Sequence, residues 1–225
     1  MMIHTYYIEV TQFEDKDLFQ EKRSLLSPCR QQKIARIRPE RDKCRSLGAG
    51  LALDHALQVY GLRERDMEYV SGEWGKPFFQ AYPDIHFSLS HSGAYAVCSI
   101  GEVPVGNDIE QVREGRLKVA ERFFTAQELE FLYAVQDEEE ITQRMFRIWT
   151  MKESFLKVTG RGMTLPLKSF SVIVDARTDT ARVEYGSGHA AYRMKEYDDI
   201  PGYRVAVCCH ADSETAKYME PVALW

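Results

Sequence analysis

The sequence predicts an α+β fold laid out as two unlike lobes, a pseudo-duplication in which each lobe sets a small antiparallel-rich sheet against helices, with the site in the cleft between them. Two helical stretches begin at a hydroxyl cap and close on glycine after nearly equal distances: 34 residues from Ser27 to Gly61, and 35 from Thr125 to Gly160. Their closing segments correspond, Leu57-Gln58-Val59-Tyr60-Gly61 against Leu156-Lys157-Val158-Thr159-Gly160. Each half then passes through strands to an apolar end, Tyr95-Ala96-Val97-Cys98 in one and Val205-Ala206-Val207-Cys208 in the other. No low-complexity linker divides residues 1–103 from 104–225, so the lobes are expected to pack tightly.

In chain order, Ile3–Val10 reads as a first strand, because it has neither a basic flank before an apolar core nor a small-residue cleavage site. Ser27-Pro28 opens a helical stretch, and a second helix over Leu47–Tyr60 stops at Gly61. Strands follow at Tyr69–Ser71, His86–Ser90 and Tyr95–Ile100, with Gly75-Lys76-Pro77 as a turn that projects one ammonium group. In the second half a strand over Val105–Glu110 precedes the start capped by Thr125 and a helix near Met145–Thr159. Four strands complete the chain, at Phe170–Val174, Ala181–Tyr185, Ala190–Glu196 and Tyr203–His210.

At 225 residues, with 44% hydrophobic and 28% charged side chains, the composition is that of a soluble globular protein. The chain holds no run of eighteen apolar residues, so no membrane span is expected. A net charge of −5 gives no reason to expect nucleic-acid binding, although Arg30 to Arg45 places seven basic residues against two acids. That strip is either a solvated helical face or a patch for a phosphate-rich ligand or an acidic partner. The five cysteines show no metal-ligand spacing, and they read as reduced thiols of a cytoplasmic protein.

Val105-Gly106-Asn107-Asp108-Ile109-Glu110 carries two carboxylates on one face of a strand. Trp149 to Lys157 puts Glu153 and Lys157 one helical turn apart, with Lys152 beside them in an unusually apolar stretch. Acids at alternate strand positions, or a Glu–Lys pair on a helix, are each common on solvated faces. Taken together, three acids and two lysines suit a magnesium-dependent reaction on a phosphate ester: carboxylates hold the hard cation, the cation neutralises phosphate oxygens, and the ammonium groups take the remaining charge. Gly106 is expected to let the backbone approach a ligand closely. Phe87-Ser88-Leu89-Ser90-His91-Ser92-Gly93 is either a plain turn or a phosphate seat of hydroxyls, imidazole and backbone amides.

In this order and spacing, the Gly75-Lys76-Pro77 turn, the Phe87–Gly93 segment, Val105–Glu110, Arg122-Phe123-Phe124 and Trp149–Lys157 resemble the 4′-phosphopantetheinyl transferases, specifically the two-lobed Sfp-type group. The resemblance runs from about Ser27 to His210. It implies transfer of the phosphopantetheine arm of coenzyme A to a serine of an acyl or peptidyl carrier protein, releasing adenosine 3′,5′-bisphosphate. It further implies Mg2+ on Asp108, Glu110 and Glu153, and phosphate binding by Lys152 and Lys157, with Glu153, Lys157 and Lys152 as the catalytic residues. His91, Ser90, Lys76 and Arg45 would hold the 3′-phosphate and adenine end, with Lys33 and Arg30 in nucleotide-contacting positions. Asn107 departs from the apolar residue usual there and is expected to point away from the metal. The carrier serine needs a base, for which Glu153 is the candidate, directly or through a metal-bound water.

Two rivals remain open at this stage, a metal-dependent nuclease or phosphatase and a noncatalytic coenzyme A or carrier binder. A single chain with two unlike lobes completes its own site, so a monomer is expected.

Overall fold

The computed structural model describes residues 2–175, 180–186, 192–210 and 212–223. The first half contains β1 (Met2–Glu9), α1 (Lys16–Ser24), α2 (Pro28–Arg36), α3 (Glu40–Leu57), β2 (Tyr69–Ser71), β3 (Pro77–Phe79), β4 (His86–Ser92) and β5 (Tyr95–Gly101). The second contains β6 (Val105–Gln111), α4 (Leu117–Phe123), α5 (Ala126–Tyr133), α6 (Glu138–Thr159), β7 (Phe170–Asp175), β8 (Thr180–Tyr185), β9 (Tyr192–Tyr197) and β10 (Tyr203–His210), followed by the short β11 (Glu214–Thr215) and β12 (Glu220–Pro221). The α+β class stands, with two principal sheets, each crossed by one long helix. The strand expected from Ala190 begins at Tyr192 among the described residues; Ala190 itself lies outside them.

Local chemistry sets the helix ends. Ser27 caps α2 by accepting from the Arg30 amide, with Pro28 at the first helical position. Thr125 and Glu128 form a reciprocal capping box on α5. Asp137 caps α6, which starts earlier than the apolar pattern alone indicates, and Gly160 ends it in a left-handed conformation at φ 70°. Likewise α3 starts at Glu40, not Leu47, because its first two turns are helical but mostly charged and carry no apolar periodicity.

The first sheet runs β11-β1-β5-β4, with β12 also on β1. β1, β5 and β4 pair antiparallel, and α3 packs over them through Leu47, Leu51, Ala52 and Leu53. β11 and β12 pair with β1 in parallel, so residues 214–221 return from the second half of the chain to extend the first sheet. The second sheet is β6-β10-β9-β8-β7, all antiparallel, with α6 across β6 and β10.

The two sheets meet at strands β4 and β6. The hydroxyls of Ser88, Ser90 and Ser92 accept from the backbone amides of Asn107 (2.9 Å), Ile109 (3.4 Å) and Gln111 (3.1 Å). Alternate residues of a strand share a face, so one row of serines joins the lobes where a backbone ladder would otherwise run.

Candidate active site

The serine row also orients the acids. Ser90 donates to Asp108 Oδ1 at 2.7 Å and Ser92 to Glu110 Oε2 at 2.9 Å, so both carboxylates lie along the seam on the face of β6 turned to β4. From α6, Lys157 Nζ reaches the same Asp108 Oδ1 at 2.8 Å. Asp108 Oδ2 is buried and has no hydrogen-bond partner among the described residues. Such an orphaned acceptor is costly in a folded interior.

Glu153, one turn before Lys157, makes no hydrogen bond among the described residues. Burial, then the charge of Asp108, pushes its carboxyl up to about 7, with Glu110 adding to the shift and Lys157 opposing it. Glu110 is raised as well, by burial and then by Asp108, against the pull of Ser92, Arg116 and Arg113. The strand and helix acids therefore repel one another across a shared space. No group of three His, Cys, Asp or Glu side chains among the described residues stands close enough to enclose a metal as they are placed.

Close approach of α6 to β6 brings the acids together. A Cβ on Gly106 would run into the Ser154 carbonyl and the Val158 amide, so glycine admits the helix backbone rather than a ligand. This corrects the expected role of Gly106.

Beside the acids lies a cavity of about 520 Å³ lined by Arg30, Lys33, Lys76 and Lys157, with Phe87 and Leu156 among its apolar walls and no carboxylate. Its size suits a small-molecule ligand. Lys76 donates to the Val105 carbonyl at 2.7 Å, and burial together with the charge of Lys157 lowers its ammonium to about 8. Arg30 is buried against Glu64 (3.4 Å) and the Tyr69 hydroxyl (3.2 Å), which fix its guanidinium at the wall. Arg45 bonds Asp42 (2.8 Å) and the Gly93 carbonyl (2.9 Å), tying α3 to the turn after His91. Desolvation, with Arg45 and Lys157 nearby, holds the His91 imidazole below its ordinary range.

Two expected ligands are differently employed. The Ser90 hydroxyl is buried and already bonded to Asp108 and the Ile109 amide, so it serves the seam and is not free to meet a phosphate. Lys152 is wholly buried and turned away from the acids. Its ammonium bonds both oxygens of Glu128 (2.6 and 2.8 Å) and the Phe170 carbonyl (3.0 Å), exhausting its three donors. Glu128 in turn accepts from the Thr125 and Val172 amides (2.8 and 2.7 Å), which locks α5, α6 and β7 together. The catalytic and phosphate-binding role expected of Lys152 is corrected accordingly. The motif Thr125-x-x-Glu128 was the available signal for its partner, but it announces only a helix start.

Asn107 points to the opposite face from Asp108, donating to Ser99 at 3.1 Å in the first lobe. Of the cysteines, four are buried and Cys29 alone is exposed, and all five are free.

Residues 104–208, which hold β6, α6, Asp108, Glu110 and Glu153, match the 4′-phosphopantetheinyl transferase superfamily. The chain is 36% identical over 206 residues to the 4′-phosphopantetheinyl transferase Sfp of Bacillus subtilis, covering 89% of this chain and 91% of that one. The chain belongs to the 4′-phosphopantetheinyl transferase superfamily. It is an enzyme of that family, whose members transfer phosphopantetheine from coenzyme A to carrier proteins. A second relative, the 4′-phosphopantetheinyl transferase gsp of Aneurinibacillus migulanus, is 35% identical over 216 residues, covering 95% of this chain and 89% of its own. Among solved structures, a holo-(acyl-carrier-protein) synthase from Bacillus anthracis in complex with coenzyme A aligns with a TM-score of 0.41 at 18% identity, covering 48% of this chain and 95% of that one. No helix among the described residues is long and apolar enough to cross a membrane.

Proposed function

We propose that this transferase moves the 4′-phosphopantetheine arm of coenzyme A to a serine of an acyl or peptidyl carrier protein in a Mg2+-dependent reaction, releasing adenosine 3′,5′-bisphosphate. One juxtaposition carries the reading: a carboxylate-free basic cavity opens beside three mutually repelling acids, one with an orphaned buried oxygen. Arg30, Lys33 and Lys76 would hold the phosphates and nucleotide of coenzyme A, and His91 and Arg45 would add contacts to it from the Glu110 end of the seam.

Asp108, Glu110 and Glu153 fit a hard divalent cation, since they supply only oxygen donors and gain most when a positive charge relieves their repulsion. Bound there, the cation would neutralise pyrophosphate oxygens as charge moves to the leaving bisphosphate. Lys157, already on Asp108, would take the phosphate charge assigned by sequence to both lysines. Glu153 is the candidate base for the proton of the carrier serine, directly or through a metal-bound water. All of these residues belong to one chain, which supports a monomer, and the enzyme would act in the cytoplasm.

Incubation with magnesium, coenzyme A and an apo carrier protein, read by mass spectrometry, should show the arm on serine, and chelation should abolish it. Free phosphopantetheine without carrier modification would favour a hydrolase instead. Binding without turnover across a broad carrier panel would favour a noncatalytic binder.

A further inference from the structure

Arg30 is held at one edge and left open at the other. Its Nε donates to Glu64 Oε1 at 3.4 Å and its Nη2 to the Tyr69 hydroxyl at 3.2 Å. The other three of its five N–H groups have no partner among the described residues, and the side chain lines the basic cavity. A guanidinium that serves only as a staple spends its fork on the carboxylate. Arg63, the residue before Glu64, does so: its Nε and Nη2 both bond Asp54, at 3.0 and 2.7 Å. Arg30 meets its acid through Nε alone and keeps the fork.

Glu64 is built into that position. It is wholly buried, and its Oε2 accepts from the Ser27 amide at 2.6 Å. Its Oε1 accepts from the Ser27 hydroxyl (2.9 Å) and the Tyr69 hydroxyl (2.6 Å) as well as from Arg30. The carboxylate thus fixes the start of α2, where Arg30 stands, and the ring of Tyr69, whose centroid lies 5.2 Å from the guanidinium. Tyr69 packs in turn against Phe79 and Phe87, with ring centroids 5.5 and 6.1 Å away, and Asp54 of α3 holds the Glu64 amide at 2.8 Å. Glu64 itself is not a wall of the cavity.

Resting on the proposed function, we propose that Glu64, together with the Tyr69 hydroxyl, is a positioning residue for coenzyme A: it presents the Arg30 fork at a fixed orientation to the phosphates. A free arginine side chain loses much rotamer freedom on binding, and ordering it beforehand removes that cost. Glu64 meets no ligand atom in this role and acts only through Arg30. A purely structural Glu64 would change affinity equally with or without Arg30, whereas a positioning Glu64 loses its effect once Arg30 is gone.

The test is calorimetric titration of coenzyme A into the intact enzyme, Glu64→Gln, Arg30→Met and the double variant, with steady-state transfer alongside. Glutamine keeps the shape but turns an amide donor toward groups that are themselves donors. We expect the Kd for coenzyme A to rise roughly tenfold in Glu64→Gln and at least as far in Arg30→Met, with the double variant no weaker than Arg30→Met alone. In Glu64→Gln, kcat at saturating coenzyme A and the KM for carrier protein should stay within about twofold of wild type. Should Glu64→Gln fail to fold, Tyr69→Phe carries the same test: it removes the hydroxyl and keeps the ring, and the expected rise is about threefold, absent when Arg30 is replaced. A Kd within about twofold of wild type in the folded variant overturns the positioning role, as does an equal loss with and without Arg30. Wild-type affinity in Arg30→Met overturns it too and leaves the proposed function standing. Failure of the wild-type enzyme to bind coenzyme A overturns the proposed function and this inference with it.

Discussion

Replacing Lys152 with methionine should unfold the second lobe far more readily while leaving coenzyme A binding at low temperature intact. The change removes the ammonium but keeps a similar apolar volume. Glu128 would then lie wholly buried with two backbone amides but no counter-charge. Breaking a buried pair in this way costs about 3–5 kcal/mol, because the remaining charge is stranded in the interior. For a chain of this size each kcal/mol shifts Tm by about 2–4 °C, so the loss should be on the order of 10 °C. The double variant Lys152→Met/Glu128→Gln should recover more than half of it, since the amide oxygen can still accept from a backbone amide without carrying charge. Thermal melts followed by circular dichroism, with coenzyme A titrated calorimetrically at 15–20 °C below Tm (about that margin suffices for a folded population), separate the effects. A Lys152→Met protein that melts like wild type but has lost transfer or coenzyme A affinity would refute the structural assignment and restore a catalytic lysine.

Glu153→Gln should stabilise the metal-free protein at alkaline pH. The folded carboxyl is raised from 4.5 to about 7, so its contribution is fully present below pH 4.5 and is lost as pH rises through about 7. In chelator at pH 8 the variant should be more stable than wild type by roughly 2 kcal/mol, after allowance for partial exposure, and the gap should close near pH 4.5 in scanning calorimetry. The same variant should lower kcat more than coenzyme A affinity; a pure affinity loss argues against its role as base. Asp108→Asn should abolish magnesium-dependent transfer and calorimetric Mg2+ binding, and retained activity would remove Asp108 from the metal set. Gly106→Ala should destabilise by about 3 kcal/mol in chemical denaturation, because the new methyl meets helix backbone that cannot yield; an unchanged midpoint would mean that β6 and α6 are less tightly apposed.

What was legible in the sequence is local in its physics. Hydroxyl caps at Ser27 and Thr125, and left-handed glycines at Gly61 and Gly160, act within a turn of chain; α2, α5 and α6 start or stop at them as expected, whereas α3 stops at Leu57 and a 3-10 turn over Gln58–Tyr60 carries the chain to Gly61. The shared face of Asp108 and Glu110 follows from strand alternation alone, as does the one-turn spacing of Glu153 and Lys157. Elements too short to display a period were not legible. The strands β3, β11 and β12 are two or three residues long, and α1 and α4 are short and charged.

The sequence by itself determined which groups could do the chemistry, because residue type and spacing along a regular backbone set charge and facing direction. Only the tertiary structure decided which of them share a space. Lys152 and Glu153 are adjacent, yet consecutive helical residues point about 100° apart. The lysine is turned inward by a glutamate 24 residues earlier on another helix, while the glutamate is left facing the strand acids. Likewise the serines at 88, 90 and 92 were a visible pattern, but their partners on β6 belong to the other lobe. A hydrogen bond or ion pair between distant segments depends on how their surfaces meet, and no local preference of the chain encodes that.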